Sequence, residues 1–167
     1  MKRQKDFVIT FKGLSTGLHQ YKFKIDKAFF ESFEYFETET GNIDVELELM
    51  KEPALLDLHF KLDGIINLVC DRCLGKFNNA INGRFRLIVK FGDTYSEESE
   101  EVVVLPNTES SIDIKQFIFE YINLLLPIKR VHVNKIDCDP TMLQKLQNLI
   151  EQSSDPRWDA LKNIKLK

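Results

Sequence analysis

The sequence predicts an α+β fold, an antiparallel, barrel-like β-sheet with C-terminal helices packed against it. Three observations carry this. The first two-thirds of the chain alternates apolar and polar residues with period two. The last third switches to helical spacing, with a start signal before each apolar stripe. No long helix separates the early strands, so they pair as an antiparallel meander or a small barrel. The 167 residues suit one domain over 1–167, mainly β over 1–110 and mainly helical over 111–167.

Phe7 to Phe11 is a short apolar run and opens the strands. Ala28 to Phe36 has helical spacing and reads as one short helix. Tyr21–Ile25, Ile43–Leu49 and Leu56–Leu62 alternate apolar with charged or polar residues, as half-buried strands do. Asp63-Gly64 fits a tight hairpin turn into a further strand, Ile65–Val69. Phe85–Phe91 and Val102–Leu105 add two more. The stretch Ser96–Glu101 reads as a solvated acidic loop. Asp113 is placed to cap a helix, with Gln116 three residues on in a capping-box arrangement. Ile114, Phe117, Ile118, Tyr121, Leu124 and Leu125 form that helix's apolar stripe, and Pro127 closes it. A loop follows from Ile128 to Asp137. Asp139-Pro140 starts a second helix with Leu143, Leu146, Leu149 and Ile150 on one face. Ser153 to Pro156 repeats the signal, and Trp158, Leu161 and Ile164 stripe a short last helix.

Composition narrows the function classes. Hydrophobic residues make up 43% and charged residues 29%, which excludes a disordered or fibrous chain. The 13 phenylalanines predict an aromatic-rich core. The net charge of −3 excludes a uniformly basic nucleic-acid binder. The charge is unevenly placed, however. Residues 37–63 hold two cations against eight acids, and 93–113 none against seven. Residues 64–92 hold five cations against one acid, and 114–135 four against one. No apolar run reaches the roughly eighteen residues a membrane helix needs. The basic start MKRQKDFVITFKG lacks the apolar stretch of a secretory signal. Three cysteines, an odd number, argue against a disulfide framework and for a reducing cytoplasm.

The strongest local signal is Cys70-Asp71-Arg72-Cys73, a C-x-x-C at a strand end. Two thiolates at that spacing reach one zinc ion, and His132 and Cys138 in the later loop complete a Cys₃His set. Such a set is closed and therefore structural. Two other readings stand beside it. The cysteines can pack as small hydrophobes, with His132 an ordinary loop residue. They can also form a redox pair, although the βαβ context of such sites is missing. Phosphate-loop, dinucleotide, nucleophile-elbow and zinc-protease motifs are absent, so no enzyme is expected. His19 and His59 lie on strands and read as surface or core residues. Glu46 and Glu48 face one way on a strand and read as a solvated face.

Cations gather near the cysteines in the sequence. Arg72, Lys76, Arg84 and Arg86 lie on or near two neighbouring strands, and Lys129 and Arg130 precede His132. If the loop folds back to the C-x-x-C, these six converge on a surface suited to phosphate contacts. Phe77 could stack on an unpaired base or belong to the core.

The ordered motifs resemble the YceD family of bacterial and plastid proteins linked to accumulation of large-subunit ribosomal RNA. Cys70-Asp-Arg-Cys-Leu74 is similar to the family's C-x-R-C-L. Ile112-Asp113-Ile114, opening a helix that ends in Leu126-Pro127 and is followed by Val131-His132 and Cys138, is similar to its second segment. Asp155-Pro-Arg-Trp-Asp-Ala-Leu-Lys162 resembles its C-terminal ending. The resemblance is strongest over Gly64 to Lys167, and Cys70, Arg72, Cys73, Asp113, Pro127, His132 and Cys138 match the pattern. Many relatives carry a cysteine where this chain has His132.

The resemblance implies a non-enzymatic role in large-subunit biogenesis, through binding precursor 23S rRNA or an assembly intermediate. Arg72, Lys76, Arg84, Arg86, Lys129 and Arg130 are the candidate RNA contacts. Zinc on Cys70, Cys73, His132 and Cys138 is the candidate structural cofactor. The alternative is an adaptor whose acidic blocks, Asp44–Glu52 and Glu97–Glu101, hold a basic ribosomal protein.

Overall fold

The computed structural model describes residues 7–33 and 40–151. The expected last helix around Trp158 and the Asp155–Lys162 motif lie outside the described residues, as does the side chain of Ile150. The fold is a mostly-sheet α+β arrangement. In chain order its elements are β1 (Val8–Thr10), β2 (Gly17–Ile25), α1 (Lys27–Glu31), β3 (Gly41–Lys51), β4 (Leu55–Val69) and β5 (Lys76–Gly92). Then come β6 (Ser96–Ser99), β7 (Val102–Pro106), β8 (Ser111–Asp113), α2 (Lys115–Leu124), a 3₁₀ turn (Lys135–Asp137) and α3 (Pro140–Glu151).

Six strands form one sheet in the order β2-β3-β4-β5-β7-β6, and β1 pairs with β8 separately. Among the described residues the sheet is not closed, so the barrel-like part of the expectation is without support: β2 and β6 end it without pairing to each other. It is also not purely antiparallel, because β5 runs parallel to β7. Strand number and alternation specify which residues face inward, but they do not specify whether the two edges meet.

Beyond the expected Leu56–Leu62, β4 continues unbroken to Val69, so Asp63-Gly64 is no hairpin turn. Leu56, Leu58, Phe60, Leu62, Ile66 and Leu68 are all buried on one phase, with Gly64 in step between them. Gly64 lies opposite Ile43 in the ladder, without the positive φ that a tight hairpin turn demands. A Cβ there would meet the Asn42 carbonyl oxygen and would sit 2.6 Å from Ile43 Cα. The glycine therefore serves the close approach of two strand backbones. Ser96–Ser99 corrects a second expectation. It is an exposed edge strand paired to β7, and its acids face water as those of a loop would.

The chain divides into two compact units. Unit 1 takes Met1–Leu68 and Asn78–Ile128, and unit 2 takes Val69–Phe77 and Lys129–Lys167. In unit 1 the inner face of β3 and β4 is aliphatic apart from Phe60. Much of the aromatic share of the core comes where the helices pack, and Phe11 meets Phe91 apart from them. Asp26 caps α1 by accepting from the Ala28 N–H, which turns Phe29 and Phe30 inward. On α2, Tyr121 stacks on Phe85 at 4.3 Å and meets Phe60 edge-on at 5.2 Å.

The α2 start differs from the expected capping box. Ile114 occupies the cap position, the Asp113 carboxylate accepts from the Lys115 N–H, and Gln116 donates to Glu120 instead. The outer face of the sheet is a ladder of cross-strand pairs. Glu46 takes Lys22 and Lys61, Asp44 takes Lys24, Glu48 takes Gln20 and Asp57 takes Arg86. Glu46 and Glu48 thus belong to a solvated face, as their spacing implies. No described helix is long and apolar enough to cross a membrane.

Candidate metal centre

All four candidate ligands fall in unit 2. The first pair comes from the six-residue turn joining β4 to β5. Cys70 N–H donates to the Gly75 carbonyl at 2.9 Å, and Leu74 N–H donates to the Cys70 carbonyl at 2.8 Å. This knuckle needs a left-handed residue, and Leu74 supplies it at φ 60°. Gly75 follows, where a Cβ would sit 3.4 Å from Cys73 Sγ and 3.6 Å from the His132 ring.

The second pair comes from the loop after α2. Two hydrogen bonds staple that loop to the knuckle. Asp71 N–H donates to the Arg130 carbonyl at 2.7 Å, and Arg130 N–H donates to the Asp71 carboxylate at 2.8 Å. His132 is thereby laid against the cysteines, with the Phe77 ring 5.1 Å from its own. Phe77 is half-buried and packs against the cysteine cluster. Cys138 follows the 3₁₀ turn and donates its N–H to Lys135. Asp139 then caps α3, accepting from the N–H groups of Thr141 and Met142, with Pro140 at the first helical position.

The ligand atoms of Cys70, Cys73, His132 and Cys138 all lie within 4.8 Å of one another. His132 Nδ1 is 3.5 Å from both Cys73 Sγ and Cys138 Sγ. A tetrahedral zinc ion with ordinary bond lengths holds a sulfur and a nitrogen ligand about 3.6 Å apart, and two sulfurs about 3.8 Å apart. The donor set therefore fits zinc. All three cysteines are free thiols.

Burial points the same way. Among the described residues of unit 2, only Cys70, Cys73 and Cys138 are buried, with Phe77, Val131, Met142 and Leu143 partly buried around them. The described part of unit 2 thus has little buried apolar surface besides its own ligand set, the pattern of a unit held by a metal ion. Burial pushes the Cys70 thiol up, but hydrogen bonds from the backbone N–H groups of His132, Arg72 and Cys73 outweigh it and bring the thiol down to about 6. That favours the thiolate that metal binding requires. Burial raises the Cys138 thiol, and Arg72 Nη1 is 3.7 Å from its sulfur.

The six candidate cations divide between the units. Arg72, Lys76, Lys129 and Arg130 belong to unit 2, and the Asp71–Arg130 staple brings the backbones of the two pairs side by side. Arg84 and Arg86 belong to unit 1, on the outer face of β5. Arg86 forks Asp57 through two bonds of 2.9 and 2.8 Å. Arg84 borders a groove with Gln20, Glu46, His59 and Lys61. His59 is tied to Asp57 at 3.2 Å, and His19 to the Ser15 carbonyl at 2.8 Å, so both are surface residues.

The sequence reading missed the positioning roles of Asp71, Leu74 and Gly75. Their signal was the local string C-D-R-C-L-G, in which the residues between and after the cysteines set the turn.

No curated protein and no solved structure matches the chain. One family model matches residues 58–165, a span that contains all four ligands and all six cations. It describes the large ribosomal RNA subunit accumulation protein YceD. With the matched span well over half of the chain, and with the cysteine knuckle and its returning loop inside that span, the chain belongs to the YceD family.

Proposed function

We propose that this chain promotes accumulation of large-subunit rRNA by docking, in the cytoplasm, on precursor 23S rRNA or a pre-large-subunit particle. The docking groups are Arg72, Lys76, Lys129 and Arg130 of unit 2, aided by Arg84 and Arg86 of unit 1. Cys70, Cys73, His132 and Cys138 hold a structural zinc ion that keeps the unit 2 cations in place. Zinc, when bound, supplies a closed tetrahedral crosslink and no open coordination position.

One observation carries this reading most. The described side chains of unit 2 include six cations, Arg72, Lys76, Lys129, Arg130, Lys135 and Lys145, against three acids, Asp71, Asp137 and Asp139. One of those acids, Asp71, accepts the Arg130 backbone N–H. A mildly acidic chain thus carries a local basic surface around its ligand set, the electrostatic footprint of phosphate contact.

The acidic-adaptor alternative is less well supported. Most acids of the Asp44–Glu52 block are answered by the chain's own Lys22, Lys24 and Lys61 or by Gln20. Sedimentation of native lysate decides between them. RNA docking predicts co-migration with large-subunit particles that RNase or high salt abolishes. A client adaptor survives RNase. In binding to a 23S precursor transcript, the double charge reversal Lys76→Glu with Lys129→Glu should weaken affinity and flatten its salt dependence. Unaltered affinity and salt slope in that variant would reject the unit 2 surface.

A further inference from the structure

We infer that Arg72 is the charge-balancing outer partner of the metal centre, holding the Cys138 sulfur by a guanidinium N–H. The inference rests on the zinc reading above and adds to it a role that ligand counting does not provide. Three thiolates and a neutral imidazole around a divalent ion leave one net negative charge. The three sulfurs are buried, and a buried charge is costly unless it is paired and hydrogen-bonded.

The three sulfurs are supported unequally. Cys70 receives backbone N–H groups from Arg72 and Cys73 of its own knuckle and from His132 of the returning loop. Cys138 stands at the end of the returning loop. Its sulfur has the half-buried Arg72 guanidinium, with Nη1 at 3.7 Å. The donor lies 66 positions away in sequence, so one half of the site supplies the counter-charge for the ligand of the other. Groups in the outer layer of a metal site orient the ligands and are typically worth 10–100-fold in affinity. Arg suits the task better than Lys because its planar fork directs an N–H at the sulfur while its charge stays delocalised.

The test uses the full purified chain. Zinc affinity is measured by competition with a chromophoric chelator, and Co²⁺ is substituted to read the thiolate-to-metal charge-transfer band. Arg72→Gln should weaken zinc binding by roughly 10–100-fold and shift the cobalt band, with the far-ultraviolet dichroism of the metal-free chain unchanged. Native affinity and an unshifted band in Arg72→Gln would overturn the inference and leave the zinc site standing. A native chain that takes no zinc from the chelator would overturn the site, and this inference with it. Should the metal-free dichroism of Arg72→Gln depart from native, Arg72→Lys decides instead. It keeps the charge and loses the fork, so a smaller loss of affinity is expected, and full native affinity counts against the role.

Discussion

At the scale of single residues, the ion pair with the clearest consequence is Asp57 with Arg86. The Arg86 fork, with His59 beside it, holds the Asp57 carboxyl below its ordinary value of 3.8. A carboxyl depressed in the folded state adds stability above its unfolded value and loses that contribution as pH falls through its folded value. Arg86→Gln should therefore lower the urea midpoint at neutral pH, and the gap to the native chain should close below about pH 4. A gap that stays constant into stronger acid would show that Arg86 acts through packing alone. Cys138→Ser and His132→Ala each remove one of four ligands, so elemental analysis should find zinc in the native chain and little in either variant. The ligands were legible because C-x-x-C is a compact signal and the later loop offers one histidine and one cysteine. The staple was not. Asp71 works through its own backbone N–H and through a partner's, and a pairing across 59 positions leaves no periodic trace in one sequence.

At the scale of elements, alternation showed where the strands lie, because period two survives in any half-buried sheet. Its failures share a cause. Asp-Gly reads as a turn from local chemistry alone, yet the inward phase of Leu62 and Ile66 continues straight through it. Tertiary pairing overrode the local preference, since the neighbouring strand's backbone at Asn42 and Ile43 occupies the space a Cβ would take. Gly64→Ala should then cost roughly 1–3 kcal/mol, as overpacking against an unyielding backbone does. Gly13→Ala has open space around its new Cβ and serves as the control, with a change of at most about 0.5 kcal/mol. Equal urea midpoints for the two variants would refute the close-approach account. The open edges of the sheet escaped the sequence for another reason. Closure depends on twist and stagger accumulated over six strands, and no single strand records it.

At the scale of the whole molecule, the two units rest on different physics. Unit 1 buries the mostly aliphatic rows of β3 and β4, together with the aromatic contacts of α1 and α2. Its stability follows from apolar area removed from water. The described part of unit 2 buries only its three cysteines, with four partly buried apolar neighbours. In zinc-finger peptides binding free energy of this kind amounts to about 10–16 kcal/mol at neutral pH, and it is folding free energy. Chelation should therefore act on one unit and spare the other. Hydrogen exchange reads both at once. The amides of Cys70, Asp71 and Leu74 are protected by bonds to Gly75, Arg130 and Cys70, and these should lose protection when a strong zinc chelator is added. The β3 and β4 amides of unit 1, between Ile43 and Leu49 and between Leu56 and Leu68, should stay protected at the native level. Loss of protection in both sets would mean that the ion supports the sheet as well, and retention in both would mean that the knuckle and its staple hold without it. Selective loss ties metal to the cation surface directly. On the docking proposed above, Lys129 and Arg130 lie on the segment that chelation is expected to release, so affinity for a 23S precursor transcript should fall when zinc is removed.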